Sequence, residues 1–334
     1  MVNELPDTGI SGVYEVFLAV QDEEYARQYF AEFGFAEVAT GECDAEQAAH
    51  CYGYRAKLKS IRLQNGTIDS HGLLRLLIWS PSAGTGVGYA PPTAIGQRMA
   101  VMRTNDIWRL IDIYQAARAA GKQWLVTEPI VDDLFGLNDK PKDFFNRPVT
   151  VRESGVYGSF FNHVFFQRYG YQIPGYGTIG EHSPLQTSEF THHDFILRGD
   201  IRQLGYLETV LGLKAEEPPQ MNGDWQAGPQ RVFQFKPGES HEYWGFVSPN
   251  NICGKMKFFT QQPHQPDLSN HLQLGRLGIT AHSFYTPHLQ DIHERARQDK
   301  RISTSEICQN EFGENSFLIK DTLGCCWHIL QKEE

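Results

Sequence analysis

The sequence predicts an α+β fold of four βαβββ modules paired into two cup-shaped barrels. Three observations predict it. At 334 residues the chain is too long for one ordinary core and suggests two domains. A strand–helix–glycine pattern at its start returns in register in the second half, and two fainter copies follow these, giving the order A-B-A′-B′. A βαβββ module cannot cover both faces of its own small sheet, so modules pair, and the concave face of each pair is a natural ligand site.

In unit A, residues 13–20 read as a strand, and residues 22–33 carry apolar side chains at helical spacing until Gly34 stops the helix. Trp79-Ser80-Pro81 then opens a Gly/Pro-rich connector. Its glycines Gly84 to Gly88 look like a phosphate loop, but no helix opens after them and Pro91 and Pro92 follow. Unit B begins at Arg98, places Asp112 to Arg118 on its helix, and ends in β-rich residues 149–166. Loop composition around 169–188 sets the expected boundaries: an N-terminal pair over 1–170, a linker over 171–188 and a C-terminal pair over 189–334.

Unit A′ repeats unit A at a constant offset of 178: Glu15, Asp22 and Gly34 become His193, Asp200 and Gly212, and Phe33-Gly34-Phe35 becomes Leu211-Gly212-Leu213. Its strand is expected over 191–197 and its helix over 200–211, with Gly212 as the stop. Val247-Ser248-Pro249 matches the earlier Trp-Ser-Pro connector. Unit B′ starts at Leu277, its Asp291 to Arg297 aligns with Asp112 to Arg118, and residues 316–330 close it with short β runs.

Forty per cent apolar and 12% aromatic residues suffice to fill two cores and argue against global disorder. A net charge of −10, with no Lys/Arg stripe, argues against nucleic acid as a partner. The first thirty residues lack a signal-peptide pattern and no apolar run reaches membrane length, so a soluble, cytoplasmic protein with no membrane partner is expected. The six cysteines form no C-x-x-C pair and are expected to be reduced and structural. In a strand, adjacent Cys325 and Cys326 would face opposite sides.

Strand, Asp, amphipathic helix and then Phe-Gly-Phe or Leu-Gly-Leu resembles the opening of glyoxalase, bleomycin-resistance and extradiol dioxygenase modules, the vicinal oxygen chelate superfamily. Asp321 to Ile329 also looks like that family's last strand. The resemblance covers nearly the whole chain and speaks to fold more than to reaction. It implies metal ligands on the first and last strands of paired modules, where the ion chelates two neighbouring substrate oxygens.

Carried over position by position, the first-strand place is Glu15 in unit A, His193 in unit A′ and Met99 in unit B, which suits no hard divalent metal. In unit B′ the count falls on Ala281, and neighbouring His282 needs a bulge or slipped register to face the cup. His328 stands where the family's last strand carries Glu, and the His and Tyr of the extradiol signature are missing from 307–320. If A′ pairs with B′, then His193, His282 and His328 converge; if A pairs with B′, then Glu15, His282 and His328 do.

Plainer roles stand beside each candidate: a core or rim histidine for His193, His282 and His328, and a buried ion pair for Glu15, whose carboxylate would be costly in an apolar strand without a cation. His163 suits a packing role, His241 and Glu242 a general acid or base, and His288 and His293, five apart, the surface. No nucleophile elbow, P-loop or dinucleotide fingerprint stands out. The resemblance implies a metal-dependent enzyme, dioxygenase-like, using Fe(II), or else Mn or Zn, on a small oxygen-rich molecule, aromatic ones included. The alternatives are a glyoxalase-type isomerase or lyase and a metal-free binding or resistance protein. Self-association is left open.

Overall fold

The computed structural model describes residues 5–133, 149–223, 227–236, 241–261 and 264–332. Unit A comprises β1 (Glu15–Ala19), α1 (Glu23–Glu32), β2 (Phe35–Cys43), α2 (Ala45–Tyr52), β3 (Lys57–Asn65) and β4 (Leu73–Ser80). Unit B comprises β5 (Arg98–Thr104), α3 (Ile107–Ala119), β6 (Trp124–Val126), β7 (Ile130–Asp133), β8 (Thr150–Gly158) and β9 (Asn162–Tyr169). Unit A′ holds β10 (Thr187–Leu197), α4 (Tyr206–Thr209), β11 (Lys214–Ala215), β12 (Gln220–Gly223), α5 (Ala227–Val232), β13 (His241–Ser248) and β14 (Asn251–Thr260). Unit B′ holds β15 (Gly278–Thr286), α6 (Leu289–Gln298), β16 (Ile302–Thr304), β17 (Cys308–Gln309), β18 (Asn315–Asp321) and β19 (Cys326–Gln331).

Two mixed sheets organise these strands. The first runs β16-β18-β19-β15-β1-β4-β3-β2, with β17 beside β18; the second runs β11-β13-β14-β10-β5-β9-β8-β6, with β12 beside β13 and β7 beside β8. Each is a curved, open cup rather than a closed barrel. Unit A therefore pairs with B′ through β1 and β15, and A′ pairs with B through β10 and β5, both antiparallel.

The expected halves, 1–170 and 189–334 with 171–188 between them, do not each own a sheet. The outer-face cores group the modules differently from the sheets. On the outer faces, Val16, Leu18, Phe30 and Leu74 of unit A pack with Met102, Leu110 and Phe165 of unit B. Phe195, Leu207 and Phe258 of unit A′ pack with Phe284, Ile292 and Trp327 of unit B′. Hydrogen bonding and the concave-face cores, Phe17 with Ala281 and Leu318 and Met99 with Ile196 and Phe259, join modules across the halves, while the outer-face cores join them within a half, so separating the halves would break both sheets.

Asp22 caps α1 by accepting from the Tyr25 N–H, and Asp200 accepts from the Arg202 N–H, so the repeated Asp does the same local work in both units. The helix expected over 200–211 is instead a 3-10 turn, Ile201–Gly205, followed by the four-residue α4. Ile201, Leu204 and Leu207 are buried at three-residue spacing, which a 3-10 turn aligns on one side. The expectation of reduced cysteines is corrected at one pair: a disulfide joins Cys51 on α2 to Cys308 on β17. Cys43, Cys253, Cys325 and Cys326 are free and buried, and Cys325 and Cys326 belong to different cores, as opposite faces require.

Candidate functional site: two cups with different floors

In the first cup, strand alternation puts Glu15, Phe17 and Ala19 of β1 on the concave face. Ser283 lies directly opposite Glu15, and His328 lies beside Ser283 on the next strand. Glu15 Oε1 accepts from Arg62 Nε at 2.6 Å and Arg75 Nε at 3.1 Å, while Oε2 accepts from Arg75 Nη2 at 2.6 Å and Ser283 Oγ at 2.8 Å. Burial alone would raise the pKa of this carboxyl, but the two guanidinium groups outweigh it and hold it at about 2.

The network continues outward. Arg75 donates to Glu311, which also accepts the Tyr52 hydroxyl, and Arg62 grips both oxygens of Glu314 at 3.0 Å each. The Phe312 ring lies 4.4 Å from the Arg62 guanidinium and 4.9 Å from that of Arg75, a cation–π contact to each. His328, against Phe17 and Tyr52, leaves both ring nitrogens without a partner; burial, then Arg75, drives its pKa well below the usual value. A cleft of about 750 Å³ opens at this end of the sheet, walled by Tyr14, Arg62, Ser70, Tyr285, Glu314 and Lys332 among others.

The second cup has a different floor. Asp194 on β10 faces Met99 on one side and Lys257 on the other. Its Oδ1 has no hydrogen-bond partner, and burial, only partly offset by Lys257, pushes its pKa up to about 7. Burial opposes the charge on Lys257, yet Tyr243 and Asp194 favour it more strongly and keep the ammonium protonated. His192 takes part through Nδ1 in contacts with the Tyr176 hydroxyl at 2.7 Å and Thr191 Oγ1 at 3.1 Å. Glu153, His192, Asp194 and Lys257 share a cavity of only about 30 Å³, room for about one water.

The four expected ligands fall into two pairs. Glu15 and His328 share the first cup, whereas His193 and His282 meet on the outer faces, ring centroids 4.9 Å apart, packed with Phe195. His282 lies opposite outward-facing Val16, between the cup residues Ala281 and Ser283. In β10, irregular pairing between Thr187 and Phe190 and between Phe190 and His192 shifts the phase, so 192, 194 and 196 face the cup where the offset projects 193, 195 and 197.

Of the minor candidates, His163, His241 and His293 settle into packing roles. His163 is stacked between Phe33 and Phe165, where burial takes its pKa to about 3. His241 stacks on Phe235 and contacts the Thr260 carbonyl, and His288 is exposed. His293, expected at the surface, is buried and contacts the Ser305 carbonyl.

A divalent metal fits neither floor. In the first, Glu15 already accepts from two guanidinium groups, and an added dication would face both of those charges; in the second, the Lys257 ammonium stands beside Asp194, with Met99 opposite. Among the described residues one trio of His, Cys, Asp or Glu brings ligand atoms within 4.8 Å of one another: His71 just before β4, Glu189 on β10 and Cys253 on β14. Arg62, Arg75, Asp194 and Lys257 escaped the sequence reading. A lone charge inside Leu73-Leu74-Arg75-Leu76-Leu77, and lysines two apart at 255 and 257, were the available signals.

No family model and no curated protein sequence matches this chain. Solved structures do. Glyoxalase I from Zea mays superposes with a TM-score of 0.56 at 10% identity, covering 96% of this chain and 92% of that one. A Bacillus subtilis protein provisionally described as a dioxygenase gives 0.55 at 9% identity, covering 98% and 87%. Among the described residues no helix is long and apolar enough to cross a membrane. Module order, cup pairing and these full-length superpositions together give the chain the fold of the vicinal oxygen chelate superfamily.

Proposed function

We propose that the chain is an enzyme acting on a small, oxygen-rich, anionic molecule in the cleft of the first cup, where Arg62 and Arg75 supply the positive centre that a metal supplies elsewhere in this fold. One observation carries the reading: Arg62 holds two oxygens of one carboxylate, those of Glu314, at equal distance on the cleft wall. A guanidinium fork matches two neighbouring substrate oxygens as well as it matches Glu314. A substrate taking that place would release the Glu314 carboxylate beside it.

That geometry suits proton abstraction next to a carbonyl, the isomerase or lyase type of reaction, for which glyoxalase I is the comparable fold neighbour. Glu314 takes the proton on a carboxylate oxygen. Arg62, backed by Arg75 through Glu15, stabilises the negative charge that develops across the two substrate oxygens. The buried floor keeps both guanidinium groups in place, so little reorganisation accompanies the charge change.

An oxygen-dependent reaction with Fe(II), Mn or Zn is the second reading. It requires an ion to displace the guanidinium groups from Glu15, and is favoured by His328, whose unpartnered nitrogens share the cup with that carboxylate, and by the Bacillus subtilis neighbour. A single experiment separates the readings: a panel of 2-oxo and 2-hydroxy carbonyl acids, catechols and hydroquinones, followed by NMR for deuterium incorporation from solvent and by oxygen uptake. Proton exchange that persists without oxygen and with chelator, and falls at least 100-fold in Arg62→Met, is the expected result. Oxygen uptake that requires iron would replace it with the second reading. Tight binding with neither activity would leave a binding protein.

A further inference from the structure

We propose that His71, Glu189 and Cys253 form a transition-metal site where the two sheets meet. It is independent of the chemistry assigned to the first cup. His71 precedes β4 in the first sheet, Glu189 lies on β10 and Cys253 on β14 in the second, so three distant segments deliver one ligand atom each within 4.8 Å of the others. The residues are 7%, 1% and 0% exposed. Buried groups of this kind need partners, and a bound cation would satisfy a carboxylate and a thiolate at once.

The surroundings orient each ligand. Glu189 accepts the Gly177 N–H at 3.0 Å on Oε1 and the Thr178 N–H at 2.9 Å on Oε2, which fixes the carboxylate and leaves lone pairs on both oxygens. His71 Nδ1 lies 3.0 Å from Ser70 Oγ and 3.2 Å from Asn251 Nδ2, and its Nε2 points toward Glu189 Oε1 at 3.4 Å. Asn251 Oδ1 accepts the Cys253 N–H, so Asn251 Nδ2 donates to Nδ1 and the Nε2–H faces Glu189; an ion bound at Nε2 would move that proton to Nδ1, where Ser70 Oγ can accept it. The Cys253 thiol donates to the Gly175 carbonyl at 2.8 Å.

The backbone is brought close on purpose. Gly72 adopts φ +68°, and a Cβ there would fall 2.3 Å from the Phe190 carbonyl oxygen; a Cβ on Gly12 would fall 2.0 Å from that of Cys253. Only glycine permits these approaches, and both hold a ligand-bearing segment against its neighbour. One imidazole, one thiolate and one carboxylate suit zinc, cobalt(II) or iron(II) rather than magnesium or calcium, and three protein ligands leave a fourth position open.

The competing account is a hydrogen-bonded His71–Glu189 pair with a neighbouring thiol and no ion. Anaerobic titration of chelator-treated, full-length protein with Co(II) separates them. The expected result is one equivalent bound with a strong thiolate-to-cobalt absorption in the near ultraviolet, lost in Cys253→Ser, and at least tenfold weaker affinity in Glu189→Gln. Glu15→Gln and His328→Ala should keep the band. X-ray absorption of the zinc-loaded wild type should find one sulfur at about 2.3 Å, a readout that stands even where a variant fails to fold. Absence of both the band and the sulfur overturns the proposal, as does a band that Cys253→Ser keeps or that Glu15→Gln removes.

Discussion

The two cups share a strand plan and differ in how they treat charge. In the first, the buried carboxylate Glu15 has four hydrogen bonds from Arg62, Arg75 and Ser283, and the chain of ion pairs reaches the cleft at Glu314. In the second, Asp194 has an oxygen with no hydrogen bond and only the neighbouring Lys257 to balance it. The same position on a curved sheet can thus hold a settled network or a poised group. A buried carboxyl is costly in either case, and the number and geometry of its donors decide whether it is held ionised or pushed toward the neutral form.

The sharpest way to break the contrast is to remove the cation from the settled cup. Arg75→Met would leave Glu15 and Glu311 buried with Arg62 alone, and loss of one partner from a buried ion pair costs about 3–5 kcal/mol. Urea denaturation should show that loss. The double variant Glu15→Gln, Arg75→Met should recover part of it, because Glu311 alone is then left without its cation. A cost below about 1 kcal/mol for the single variant would mean that water reaches the floor and that the network is no more than a surface ion pair.

The poised cup predicts an effect of the opposite sign. Asp194 rises from an ordinary value of 3.8 to about 7, so the folded protein holds a proton that the unfolded chain releases. Stability from this group is present below about pH 4 and is lost as pH rises through about 7, by roughly 4 kcal/mol at most at 1.36 kcal/mol per unit. Asp194→Asn should flatten that decline, read as a smaller drop in urea midpoint between pH 5 and pH 8. An unchanged slope would assign the decline, if one is seen, to another group.

Much of the plan was readable beforehand, and the reasons are local. The Asp that opens each first helix, the glycine that closes it and the constant offset between units A and A′ depend on neighbouring residues, so a linear reading recovers them. Which modules pair does not. The β1–β15 and β10–β5 seams join residues far apart in sequence, and both candidate pairings satisfied the same strand patterns. The site was harder still. A slip in β10 moves His193 out of the cup and Asp194 into it, and two irregular pairings decide it. Arg75 announces a buried charge by its apolar neighbours, but nothing near it in sequence names Glu15 as its partner.

The smallest of the three effects completes the comparison, because it runs against the second. Glu15 is held at about 2, below its ordinary 4.5, so the folded state binds fewer protons there than the unfolded chain does. Its stabilisation is fully present above about pH 4.5 and is lost as pH falls toward 2, by roughly 3 kcal/mol at most. Glu15→Gln should therefore lose stability at pH 7 yet lose less further on acidification than the wild type, while Asp194→Asn leaves the acid side unchanged. The two slopes separate in pH, so one stability profile of each variant tests both floors. If Glu15→Gln matches the wild type between pH 5 and pH 2, the guanidinium pair does not hold Glu15 as its geometry implies. Arg62 would then lack the rigid support that the proposed chemistry requires.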